Sequence, residues 1–143
     1  MRMPVSRRIV ALAAFAAIVA IGGVVRAQGG QFQRIAGVLR EAGFSHVVDG
    51  ARGWLRDGRS DSFSIWLNAG TRYAVVANCD EDCTDLDIAV YGPDGRALAS
   101  DRELDDAPVV LLTPARSGTH HLRVTMADCD VEPCAYTVGV FSR

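Results

Sequence analysis

From residue 60 onward, apolar and polar residues alternate with a period of two, in runs too short for anything but strands. In SFSIWLNAG, Phe63, Ile65 and Leu67 alternate with Ser64, Trp66 and Asn68. In TRYAVVANC, Tyr73, Val75 and Ala77 alternate with Arg72, Ala74 and Val76. LDIAVYG sets Leu86, Ile88 and Val90 opposite Asp87, Ala89 and Tyr91. HLRVTMAD offers Leu122, Val124 and Met126, and CAYTVGVF offers Tyr136, Val138 and Val140. Turn signals at Asp57-Gly58, Asn68-Ala69-Gly70, Pro93-Asp94-Gly95 and Ser117-Gly118 separate the runs. About eight strands are predicted, near residues 52–56, 61–68, 71–79, 85–92, 96–101, 108–113, 119–127 and 134–142. One buried face per strand, short connections and no crossover helix make the expected fold an all-β, antiparallel sandwich over residues 51–143.

Ahead of it the period is 3.6. Ile35, Val38, Leu39 and Ala42 fall at i, i+3, i+4 and i+7, and Gly43 is a natural stop, so residues 28–50 are expected to form a short N-terminal helical segment. The first residues carry Arg2, Arg7 and Arg8, then an apolar run from 9 to 25, then Val25-Arg26-Ala27, which fits a signal peptide of residues 1–27. Ser6-Arg7-Arg8 hints at twin-arginine export. Export to the periplasm or beyond the cell is therefore expected. Removing that segment takes four of fifteen basic residues and no acidic one, so eleven arginines face seventeen carboxylates, a formal charge of −6. A surface of that sign does not suit nucleic acid or an anionic membrane.

The stretch CDEDCTDLDIAVYGPDG carries the chemistry that most needs explaining. Four cysteines fall as Cys79-x3-Cys83 and Cys129-x4-Cys134. With no histidine near either pair and an oxidising destination, two disulfides are expected in place of a zinc site. Local closure, Cys79–Cys83 and Cys129–Cys134, is preferred over the cross-paired arrangement, and would fix two loops at strand ends. Asp80, Glu81 and Asp82 in one loop, with Asp130 and Glu132 in the other, are candidates for contact with a cationic protein or peptide if the loops lie side by side. No cofactor is required; a structural calcium is the alternative, held by Asp82, Asp85 and Asp101, or by Asp87, Asp105 or Asp106 nearby.

The runs GWLRDGRSDSFSIWLNAGTRYAVVA, TDLDIAVYGPDGRALASD, TPARSGTHHLRVTM and AYTVGVF, in that order, resemble the bacterial pre-peptidase C-terminal domain over roughly residues 50–142. The resemblance implies a jelly-roll-like sandwich. It also implies a non-enzymatic role beside secreted peptidases, as a binding or structural envelope module, with calcium-dependent adhesion or glycan- or collagen-like substrate binding as the alternative. The two cysteine pairs and the absence of an attached catalytic domain depart from that pattern.

Catalysis finds no constellation. No G-x-S-x-G elbow is present, and adjacent His120 and His121 must point to opposite faces of one strand, with Ser117 and Asp128 near them only in sequence. One histidine is expected to pack and the other to be solvated. A glycan reading needs exposed aromatics; Trp54 and Trp66 are the candidates, and the N-terminal helix is expected to cover Trp66.

Overall fold

A computed structural model describes residues 26–48 and 50–143. The signal peptide expected at 1–27 lies outside the described residues, apart from Arg26 and Ala27. Those two open helix α1, Arg26–Glu41. Nine strands follow: β1 Ser45–Val48, β2 Arg52–Leu55, β3 Ser60–Leu67, β4 Tyr73–Cys79, β5 Cys83–Tyr91, β6 Ala97–Asp101, β7 Val109–Leu112, β8 Gly118–Cys129 and β9 Cys134–Ser142.

All pairings are antiparallel. One sheet orders β2-β9-β4-β7 and the other β3-β8-β5-β6. Successive strands from β2 to β5 and from β7 to β9 thus alternate between sheets in the winding of a jelly roll. The ninth strand, β1, falls inside the segment expected to be only helical. Its place follows from a length mismatch: β2 covers Cys134–Thr137 of the longer β9, and β1 pairs with Val140–Ser142 farther along the same edge. Gly50, between β1 and β2, lies so close to the Val138 carbonyl that no Cβ fits there.

The apolar set of every long strand meets between the sheets. Leu67, Leu86, Ile88, Val90, Leu122, Val124 and Met126 of one sheet pack on Tyr73, Val75, Ala77, Tyr136, Val138 and Val140 of the other. Tyr136 donates its hydroxyl proton to Asp61 Oδ2 at 2.8 Å. Burial first, then that bond and the Asp61 charge, pushes its phenol upward.

β4 is buried on both faces. Its outward Ala74 and Val76, with Phe141 of β9, are covered by Phe32, Ile35, Ala36 and Leu39 of α1. The helix stripe is therefore 32, 35, 36 and 39, and Val38, expected within it, is exposed. Gly43, at φ 84°, ends the helix, with Gly43 N–H donating to the Arg40 carbonyl and Phe44 N–H to the Leu39 carbonyl. Phe44 and Leu39 bury together, completing a Schellman cap. Helix and Trp66 thus lie on different sheets, which corrects the expected covering of Trp66: that indole is 63% exposed.

Candidate functional site

Both disulfides close locally, Cys79–Cys83 with Cα atoms 5.9 Å apart and Cys129–Cys134 at 6.0 Å, and no described cysteine is free. Their role is less local than their spacing. Cys79 ends β4 and Cys83 starts β5, in opposite sheets; Cys129 ends β8 and Cys134 starts β9, again in opposite sheets. Each bond clips one sheet to the other, and both do so at the same end. Cys83 and Cys129 are direct cross-strand partners. Two such bonds accord with an oxidising compartment. Among the described residues no helix is long and apolar enough to cross a membrane.

The loops 80–82 and 130–133 consequently run side by side. Asp80 N–H donates to the Ala135 carbonyl at 3.0 Å, and Asp130 N–H to the Asp82 carbonyl at 2.8 Å. Ala135 N–H returns a 2.6 Å bond to Asp80 Oδ2. Asp80 is 8% exposed, which corrects its place among the partner-facing acids: its carboxylate ties the two loops together. Glu81, Asp130 and Glu132 are exposed and Asp82 is half-buried, so these four form the reachable anionic surface.

A third loop, unnoticed in the sequence, braces them. Asp57 Oδ1 accepts Cys129 N–H at 3.1 Å, while Asp57 N–H donates to Glu132 Oε1 at 3.1 Å. Arg56 adds an exposed ion pair to Glu132 at 3.4 Å. Asp57-Gly58 was legible as a turn; its reach to residue 129 was not. The 102–108 loop completes this end, its Asp106 and Asp105 carbonyls accepting Cys79 N–H and Leu86 N–H.

The calcium candidates do not assemble. Asp101 spends one oxygen on Glu103 N–H at 3.1 Å and the other on Val109 N–H at 2.9 Å. Asp105 accepts Ala107 N–H, and Asp106 accepts from Gln31. Among the described residues, no three His, Cys, Asp or Glu side chains form a metal-holding group, so Asp82, Asp85 and Asp101 are not one site. Asp85 is nevertheless perturbed. Burial, then the charges of Asp87, Asp128 and Asp105, raises its carboxyl above the ordinary 3.8, and its Oδ1 is buried without a partner among the described residues. Asp87 is also raised, by burial first, against the lowering pull of Arg102 and with a further rise from Asp101.

Charge separates along the molecule. The loops at the disulfide end (56–59, 80–82, 102–108 and 130–133) hold nine carboxylates and three arginines. Those at the other end (68–72, 92–96 and 113–117) hold Asp94 alone against Arg72, Arg96 and Arg116.

The histidines divide as expected: His120 is 1% exposed and His121 faces solvent, beside Ser64. Ser117 Oγ accepts Ala69 N–H, and it precedes the start of β8 whereas Asp128 lies at its far end. Trp54 and Trp66 are both exposed, but on β2 and β3, in opposite sheets, and their partners Ala135 and Thr119 mark opposite ends. They do not share a platform. No protein-family model and no curated protein matches this chain.

Proposed function

We propose that this chain is an exported, non-enzymatic binding module, similar to a pre-peptidase C-terminal domain standing alone, whose disulfide-clipped acidic end receives a cationic segment of a partner protein. One observation carries the reading: loops 80–82 and 130–133 lie together, each closed by a disulfide and hydrogen-bonded to the other. Loops held this way lose little entropy on binding, and their carboxylates attract a cation without rearranging. Glu81, Asp82, Asp130 and Glu132 supply the contact charge. Oxidised protein should bind an arginine-rich peptide with affinity that falls steeply with salt. A Glu81→Gln, Asp130→Asn, Glu132→Gln variant should lose most of that affinity, while Arg72→Gln should not. Equal binding by the two variants would sink the proposal.

Calcium at the same end is the second reading; Asp85 Oδ1, buried without a partner among the described residues, is the one observation that favours it, since the neighbouring carboxylates do not converge on a metal-holding group. Its test is a thermal melt with excess calcium and again with chelator. A bound ion raises the melting temperature by mass action; coincident melts would discard it.

A further inference from the structure

The end opposite the disulfides contains a cavity of about 160 Å³ between the β5–β6 turn and the β7–β8 connection. Pro93, Leu98 and Ala115 give it apolar walls, and Arg116 and His120 reach it as polar groups. Asp94 also lines it, but accepts Arg96 N–H at 3.1 Å and so caps its own turn.

His120 is the unusual member. It is an inward residue of β8, 1% exposed, with Nδ1 2.9 Å from the Gly118 carbonyl oxygen. A carbonyl oxygen only accepts, so Nδ1 carries a proton, and the tautomer that makes this bond has Nε2 as its acceptor. Nε2 has no hydrogen-bond partner among the described residues. Nε2 is not one of the fully buried polar atoms without a partner, so on a ring 1% exposed that lines the cavity it stays open to a ligand hydroxyl entering there. The size of the space narrows the ligand further, since an apolar cavity of about 150 Å³ accommodates a single benzene ring. A six-membered ring bearing one O–H donor meets both demands. A phenolic O–H, more acidic than that of an aliphatic alcohol, is the stronger donor to Nε2, which favours an aromatic over an aliphatic hydroxyl.

We propose that this cavity binds a phenolic ring, packed against Pro93, Leu98 and Ala115 with its hydroxyl donating to His120 Nε2. The site is separate from the acidic end and does not rest on the function proposed for it.

The test is a ¹⁵N-resolved NMR titration of the oxidised protein with p-cresol, toluene and N-acetyl-tyrosinamide. Expected are saturable shifts with p-cresol at the amides of Gly92, Arg116 and His120, with a change at the His120 ring nitrogens. Toluene, which lacks the donor, should bind at least tenfold more weakly. Binding of N-acetyl-tyrosinamide would mark a tyrosine side chain of a polypeptide as the source; its exclusion while p-cresol binds would mark free phenols. Leu98→Trp, placed at a position 48% exposed, should fill the space and abolish the p-cresol shifts without lowering the melting temperature. Equal affinity for p-cresol and toluene, p-cresol binding that survives Leu98→Trp, or no saturable shift at millimolar p-cresol would each overturn the proposal.

Discussion

Asp80→Ala tests whether the middle of the acidic stretch is a surface or a joint. In the fold Asp80 is 8% exposed and its Oδ2 accepts the Ala135 amide at 2.6 Å, across the gap between the two clipped loops. A bond to a charged acceptor contributes about 1.5–3 kcal/mol net, and its deletion also leaves Ala135 N–H without its acceptor. Acting the other way, Asp80 Oδ1 is buried without a partner among the described residues, so truncation removes a desolvated oxygen as well. The balance puts the loss at about 2 kcal/mol. With a urea m-value of about 1.5 kcal/mol/M for a domain of this size, the unfolding midpoint should fall by roughly 1.3 M, followed by far-UV circular dichroism. Asp80→Asn keeps an oxygen acceptor without the full charge and should lose about half as much. Glu81→Ala, one residue along and exposed, should stay within about 0.5 kcal/mol of the parent. An Asp80→Ala midpoint indistinguishable from that of Glu81→Ala would refute the reasoning and return Asp80 to the binding surface.

The disulfides, with separations of 4 and 5, close loops so alike that chain entropy assigns each about 2 kcal/mol; paired Cys→Ala variants should lose similar amounts by urea titration, and a several-fold inequality would contradict an entropic origin. Because Asp85 and Asp87 hold their protons more tightly folded than unfolded, the stability they contribute is full below the ordinary 3.8 and is lost as pH rises through the raised folded values. Asp85→Asn should therefore flatten the decline in urea midpoint on going from acid toward neutral pH and add about 0.5 kcal/mol near neutrality, the scale of a surface charge contact; an unchanged slope would remove Asp85 from the account. Trp66→Ala should leave stability within about 0.5 kcal/mol, since the indole is 63% exposed and off the helix; a loss of several kcal/mol would mean that something covers it.

What could be read without coordinates was what depends on neighbours along the chain. Alternation at 63–67, 86–90 and 122–126 reports backbone geometry and one buried face, and it placed the strands, the inward residues and an antiparallel sandwich. Local cysteine pairing was equally accessible, because strand ends four or five residues apart fall within disulfide reach. The helix was visible too, but its buried face was offset from the reading: 35, 38, 39 and 42 repeats as well as 32, 35, 36 and 39, and a short stripe fixes neither its phase nor its partner. Its partner was hinted at by TRYAVVANC, whose outward Ala74 and Val76 are apolar, the mark of a strand covered on both sides. Adjacency across the fold was not written locally. The jelly-roll winding sets residue 57 against 129 and 80 against 135, turns two short-range disulfides into clips between sheets, buries Asp80 and leaves Trp66 bare. It also gathers nine loop carboxylates at one end and leaves Asp94 alone at the other, with three arginines at each. Those outcomes depend on which distant strands become neighbours, and a period of two is the same whichever neighbour a strand acquires.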